Sequence, residues 1–579
     1  MSEKKKTQLS RRNFLKVGGL VGIATQVATI PFRAYEAGAS KESYTGWESF
    51  EGQTQYFDRK PFEITLDKLY AKFHPNTGEK KTRPDKYTEM AFNRVLQIMP
   101  LIFEAAIQAE LLNPPAKEGE MPTPAKEITE KDLVGLKKLI YGMLPDKYFK
   151  NYYDYWAKRH QDQLLDDIRT VLIHTPRQAA DKKRLAVYLA LHTAYGAVVD
   201  DLGNGKLVEP PEPTAPPEES DFKAGLAVFP GMPQPFVDIR QVTPATLTPE
   251  RLEFKSPKEA ANLIKIVAHK FGATVVGITT MNPDFVYVRS VRGSTPAVPP
   301  DGGSPAPGTV SPLFKGDMKE FEVPKHWKYV IVVGIPHEWD QLLEAPHLGF
   351  SGEAYIRLRV LGARLVGYLK QLGYSARGHL PGMDYDLVVP PFAVMAGLGQ
   401  LGRLGVVITP EAGPNMRWAA ITTDLEMAVD QPIDFGVAEF CKKCKICAEN
   451  CPTNSISMAD SPKGQGSRGY ERWDFNGATC FGMWQQALGD GCRLCIAVCP
   501  YSRKNNWVHG IPRSLSPVDP TGLVDRSFIW LQKTFFAAPT KQQYLPEPDG
   551  CSATYRQTAK WIHTASWLKN PHEKPKPCK

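Results

Sequence analysis

Beyond its first thirty residues this chain of 579 residues has no apolar run long enough to cross a bilayer, which takes about 20 residues as a helix. It is also short of net charge. Lys and Arg number 71 against 62 Asp and Glu. The first 39 residues hold seven Lys or Arg and two Asp or Glu, which leaves only about +4 of the formal +9 for the rest. That excludes the basic footprint of a nucleic-acid binder. Cysteine is scarce outside two short runs, since of ten cysteines only Cys551 and Cys578 lie elsewhere. No internal repeat stands out beyond those runs.

The runs themselves are the strongest signal. Cys441, Cys444, Cys447 and Cys451 precede Pro452 in the pattern C-x2-C-x2-C-x3-C-P. Cys480, Cys492, Cys495 and Cys499 follow, the last again before a proline. This is the spacing of bacterial ferredoxins, in which three cysteines of one run hold a [4Fe-4S] cluster and the fourth crosses to a second cluster. Crossing over assigns Cys441, Cys444, Cys447 and Cys499 to one cluster and Cys451, Cys480, Cys492 and Cys495 to the other. Structural zinc asks for two separated pairs of ligands instead. Disulfides suit an exported protein, but thiols two residues apart bridge poorly. Two clusters make a short wire that carries one electron at a time.

The opposite end reads as an address. Ser10-Arg11-Arg12-Asn13-Phe14-Leu15-Lys16 is a twin-arginine motif, residues 17–30 are mildly apolar, and Ala37-Gly38-Ala39 offers an A-x-A site. Export by the twin-arginine route with cleavage after Ala39 is expected. That route carries folded proteins, which suits a chain loaded with clusters in the cytoplasm. The expected location is the outer face of the cytoplasmic membrane, peripheral.

A chain of this length should form two or three packed units. Pro-rich stretches at 113–127, 208–220 and 292–310 read as linkers or loop insertions. Helices dominate before residue 250, notably 84–112 and 178–199. From residue 257 the pattern turns α/β: helix at 258–271, strands at 274–278 and 329–334, a long helix at 354–372, and short strands at 387–389 and 406–409. The expected division is a signal peptide at 1–39, a helical region at 40–255 and an α/β core at 256–435. A ferredoxin-like unit at 436–510 and a tail at 511–579 complete it.

Between core and clusters runs Gly397-Leu398-Gly399-Gln400-Leu401-Gly402-Arg403, then Ile408-Thr409-Pro410-Glu411-Ala412-Gly413-Pro414-Asn415-Met416-Arg417, then Thr423-Asp424-Leu425. The glycines spell G-x-G-x-x-G, but a dinucleotide site needs a strand running straight into that loop and a helix leaving it. Here Pro390 and Pro391 interrupt the approach and residues 392–396 look helical. With the leader and both cysteine runs, this segment resembles the catalytic subunits of corrinoid-dependent reductive dehalogenases over roughly residues 255–505.

The resemblance implies a nitroreductase-like α/β (α+β) core holding a cobalamin-type corrinoid beside a dicluster ferredoxin unit. It implies electrons delivered singly to cobalt, and removal of halide from an organohalide with two electrons and a proton, as the terminal step of organohalide respiration. Gly397, Gly399 and Gly402 are expected to let backbone pack close to the corrinoid or to neighbouring chain. A protein that replaces cobalamin's own base with histidine carries D-x-H-x-x-G. The nearest match, Arg377-Gly378-His379-Leu380-Pro381-Gly382, lacks the aspartate that orients such a ligand. His379 is therefore expected to be a loop histidine, in keeping with a base-off cofactor.

Tyr355, placed at the opening of the long helix, matches the family's proton donor. Arg417 matches the arginine beside it, and a cation there favours the phenolate. Asp384 stands where the family commonly has an asparagine. A small membrane-anchor protein, a respiratory electron donor and a small organohalide are the implied partners, and a homodimer is allowed. Two other readings compete: an epoxyqueuosine reductase, which needs the cytoplasm and a tRNA-binding face, and an iron–sulfur electron carrier without an activity of its own.

Overall fold

The computed structural model describes residues 58–73, 83–173, 250–288, 322–337, 342, 349–502 and 519–535, short stretches within these apart. The leader, the helix expected at 178–199, the linkers at 208–220 and 292–310, Asp384, Cys551 and Cys578 lie outside the described residues. No described helix is long and apolar enough to cross a membrane.

The N-terminal part is helical as expected. It comprises α1 (Ala91–Gln108), α2 (Glu130–Met143), α3 (Lys147–Ala157) and α4 (Gln163–Leu172). The single helix expected at 84–112 is broken: residues Lys86–Glu89 form one turn, and α1 begins only at Ala91. Thr129 and Asp132 close a reciprocal capping box at the start of α2, which satisfies two otherwise orphaned N–H groups. Ile98, Ile102, Leu133, Leu136, Ile140 and Ile168 interlock in the core of this unit. Part of the stretch expected to be a linker at 113–127 is ordered as a two-residue hairpin, Leu112–Asn113 against Thr123–Pro124.

The core is an antiparallel sheet of four strands. In chain order they are β1 (Val275–Thr280), β2 (Tyr329–Pro336), β3 (Ala376–His379) and β6 (Met416–Thr423). Across the sheet the order is β1-β2-β6-β3. Helices α5 (Pro257–Lys270) and α6 (Gly349–Gln371) cover one face. Strand side chains alternate between faces, so Ile331, Val333 and Ile335 of β2 and Ala419 and Ile421 of β6 meet Ile264, Ala354, Leu358, Leu361, Leu365 and Leu369. Val330, Val332, Met416 and Ala420 point the other way, toward α7 (Val389–Met395).

Leu387 makes an isolated bridge with Val286 instead of opening a strand. Pro390 and Pro391 then start α7, where a missing N–H does no harm because first-turn donors have no partner in the helix. After α7 the two-residue strands β4 (Gln400–Leu401) and β5 (Val407–Ile408) form a tight hairpin.

The cysteine-bearing helices are short. They are α8 (Val437–Lys443), α9 (Ile446–Glu449), α10 (Gly477–Ala487) and α11 (Leu494–Ala497), with α12 (Leu523–Phe535) packed against α8. Gln400 ties the hairpin to α8: its Oε1 accepts from the N–H groups of Phe435 and Val437 at 2.8 and 3.2 Å. The N-terminal helices dock on α10. Thr170 donates to the Ala478 carbonyl at 3.1 Å, Gln163 donates to Asn476 at 3.1 Å, and Phe481 enters their core.

Candidate active site and cluster ligands

Pairing of β2 with β6 sets Ile335 opposite Arg417. Arg417 shares a face of β6 with Ala419 and Ile421, which is the face that α6 covers. Helix α6 begins at Gly349, earlier than expected, so Tyr355 sits in its second turn and Ser351 one turn before it. A spacing of four residues puts these two side chains on one side of the helix. The Arg417 guanidinium lies 5.5 Å from the centre of the Tyr355 ring.

A second arginine, unforeseen in the sequence, completes the group. Arg493, at the N-terminus of α11, adopts the left-handed conformation at φ 65°, which costs a non-glycine side chain about 1 kcal/mol or more. Arg417 Nη2 and Arg493 Nε each donate to Ser351 Oγ at 3.2 Å, and both guanidiniums act electrostatically on the Tyr355 phenol. Burial pushes that phenol up, but the two cations outweigh burial and hold it below the ordinary tyrosine value. Burial likewise brings Arg417 down to about 10, with Tyr355 opposing the change and Arg493 adding to it.

Behind Ser351 stands a second line. Asn415 Nδ2 donates to the His337 carbonyl at 3.1 Å, so its Oδ1 faces His337 Nδ1 at 2.7 Å. An amide oxygen can only accept, which puts the proton on Nδ1 and leaves Nε2 as acceptor. Ser351 Oγ lies 3.4 Å from Nε2 and aims its hydroxyl there, keeping its lone pairs for the two guanidiniums. Burial, then Arg417 and Arg493, hold His337 well below the ordinary histidine value. The only advance signal for Asn415 was its place in the Gly413–Arg417 segment. Ser351, His337 and Arg493 gave none, because long-range register brings them together.

Of the two alternatives for the glycines, the structure shows close packing against neighbouring chain. A Cβ on Gly397, which has φ +71°, would stand 2.2 Å from the Gln431 carbonyl oxygen. On Gly399 it would meet the Ile408 carbonyl oxygen at 2.2 Å, and on Gly402 the Ile408 Cδ1 at 2.5 Å. At all three positions the space a side chain would need is filled by the chain itself. His379 is not in a loop either. It ends β3, buried, with Nε2 3.2 Å from Thr422 Oγ1 and Nδ1 accepting from the Asp386 N–H at 3.2 Å. Both ring nitrogens are thus committed within the protein.

The eight cysteines come together in two sets. Cys447 is near Cys499, Cys441 and Cys444, and Cys480 is near Cys492, Cys495 and Cys451, each set penalising ionisation of its members. Cys495 also acts on Cys447, so the two sets adjoin. Burial pushes Cys441 and Cys495 up to about 11 and Cys444 and Cys492 up to about 12. Such thiols ionise only when bound metal repays the charge. Among the described residues no three Cys, His, Asp or Glu converge closely enough for a single metal ion. Zinc would draw four thiolates onto one point, whereas a four-iron cube spreads them over separate irons. Arg493 separates Cys492 from Leu494, so a cation facing Tyr355 is joined directly to a ligand of the second set.

Residues 440–502 match the family described as a 4Fe-4S dicluster domain. The tetrachloroethene reductive dehalogenase of Sulfurospirillum multivorans is 33% identical over 269 residues, 44% of this chain and 52% of that protein. The chain is similar to reductive dehalogenases. Those relatives are oxidoreductases acting on carbon–halogen bonds. An epoxyqueuosine reductase of Vibrio cholerae is 28% identical over 173 residues, 28% of this chain and 46% of that protein. Among solved structures, a catabolic reductive dehalogenase aligns at TM-score 0.42 and 25% identity, covering 54% of this chain and 40% of the other. The chain spans about half the length of the curated dehalogenases it matches first. The dicluster match places an iron–sulfur unit beside the mixed helix-and-sheet core.

Proposed function

We propose that this protein removes halide from a small organohalide, replacing it with hydrogen at the expense of two electrons and one proton. The observation that carries the reading is the half-buried Tyr355 phenol whose proton is loosened by Arg417 and Arg493, the second of which belongs to the cysteine unit. A corrinoid, when bound, would supply cobalt able to exchange electrons with the substrate, and both ring nitrogens of His379 are engaged within the protein.

The chain's own residues have defined tasks in this reading. Cys441, Cys444, Cys447 and Cys499 hold one [4Fe-4S] cluster, and Cys451, Cys480, Cys492 and Cys495 hold the second, next to the tyrosine. Tyr355 gives its phenolic proton to the carbon that loses halide. Arg417 and Arg493 favour the phenolate that remains and offer N–H groups to the departing anion. Asn415, through His337 and Ser351, fixes where both guanidiniums point. The balance is a carbon–halogen bond broken, a carbon–hydrogen bond formed, one halide released, and Tyr355 reprotonated from solvent.

Export through Arg11 and Arg12, a membrane-anchor partner and service as a respiratory terminal reductase belong to the same proposal. Epoxyqueuosine reduction is the second reading, kept by the weaker similarity to that enzyme. Tyr355→Phe tests the assignment. With ring volume kept, iron and corrinoid content should stay normal while turnover falls roughly 10²-fold or more, the usual scale for a general acid. Loss of corrinoid from that variant would instead make Tyr355 structural.

A further inference from the structure

Arg403 follows Gly402 in the turn of the hairpin, and its side chain is wholly buried. Its guanidinium makes five hydrogen bonds, all to backbone carbonyls of the cysteine unit. Nε donates to Cys441 and Cys444 at 3.2 and 3.0 Å, Nη2 to Cys441 at 2.6 Å, and Nη1 to Ser457 and Ala459 at 2.7 Å each. Trp473, itself buried, lies over the guanidinium at 5.0 Å and donates Nε1–H to the Ala459 carbonyl at 3.1 Å. Among the described residues no carboxylate is within ion-pair distance of Arg403. A full positive charge is therefore held out of water, sealed by an indole, against two ligands of one cysteine set.

A buried cation without a counter-ion is costly, and carbonyl dipoles offset that only in part. Bracing the ligand loop alone would not need charge, since a neutral amide donates as well. The arrangement makes sense if the missing anion is the cluster. A four-iron cluster with four thiolates is an anion that gains a further negative charge on reduction, and nearby charge and burial are among the levers that set its potential. The hairpin glycines give the same conclusion. Without a Cβ at Gly399 and Gly402 the turn closes tightly on Ile408, and that closure aims Arg403 across the seam.

We propose that Arg403 raises the reduction potential of the cluster held by Cys441, Cys444, Cys447 and Cys499, and leaves the other cluster nearly unaffected. The consequence is an ordered pair: the cluster farther along the chain of contacts from Tyr355 accepts and stores the electron more readily than the one beside Arg493. The inference rests on the cluster assignment and not on the dehalogenation reading.

The test is an EPR-monitored reductive titration of anaerobically purified, cluster-loaded protein, with iron determined on each sample. Arg403→Gln keeps a donor and loses the charge. It should weaken reduction of one cluster at least tenfold, about 59 mV for one electron, with the second cluster unmoved as internal control. Arg403→Lys keeps the charge and loses the planar fork, and should hold the wild-type potential. Retention of the cluster at unchanged potential in the lysine variant alone would also support the proposal. Unchanged potentials in both variants, equal shifts in both, or a common shift of both clusters would overturn it. Loss of the cluster from both variants would make Arg403 a loop brace, and overturn it too. Fewer than about eight iron in the wild-type protein would point instead to a failure of the cluster assignment.

Discussion

At the scale of single residues, the chemistry turns on how two cations treat one phenol. Tyr355 can give a proton only while it is protonated, so turnover should be lost as pH rises through its pKa. Arg417 and Arg493 hold that value below the usual one, so the alkaline limb of the pH–rate profile should fall below about 10. Arg493→Gln removes one cation and should move the limb to higher pH, which a profile under saturating substrate would show. An unmoved limb would mean that another group controls proton delivery. Arg417→Lys keeps a charge but loses the planar fork that engages Ser351 beside the Tyr355 ring, and should lower turnover more than corrinoid loading. Of these residues Tyr355 and Arg417 were legible in the sequence, through their resemblance to a known pair. Arg493 was hidden among the cysteines, where a basic residue reads as solvated surface. Asp384, also expected near the site, falls outside the described residues.

At the scale of elements, local pattern and long-range pairing part company. Helix α5 was readable from apolar residues at the helical period, and strands β1 and β2 from short apolar runs rich in Val and Ile. The strand that centres the site, β6, was missed. Its sequence Met-Arg-Trp-Ala-Ala-Ile-Thr-Thr shows no alternation and lacks the Val- and Ile-rich run that marks β2. Pro390 and Pro391 rule out a strand running into the glycines, as read, and the helix read at 392–396 starts on them, because position within a helix decides what a proline costs. The glycine hairpin shows the same limit, since its spacing imitates a phosphate loop while its missing side chains make room for the protein itself. Gly397→Ala should therefore destabilise by about 3 kcal/mol, combining a left-handed backbone with a backbone collision. A thermal midpoint lower by several degrees, with iron retained in the folded fraction, is the expected result. An unchanged midpoint would contradict the packing described for this turn.

At the scale of the whole molecule, the sheet, the hairpin and the cysteine unit form a continuous seam, with the N-terminal helices closing over α10. Anaerobically purified protein should contain about eight iron and eight sulfide per chain. Cys480→Ser should remove one cluster and spare the other. Replacing Arg11 and Arg12 by lysine should leave cluster-loaded precursor in the cytoplasm, and normal export of that variant would remove the twin-arginine proposal. The most direct test of the account is halide release. Protein loaded with both clusters and one cobalt would be given reduced methyl viologen and a panel of chlorinated and brominated ethenes, ethanes and phenols. The account predicts one halide released and one carbon–hydrogen bond formed for every two electrons consumed, from at least one member of the panel. Fully loaded protein that oxidises viologen with an epoxyqueuosine-containing tRNA stem loop, yet frees no halide from any of them, would contradict it.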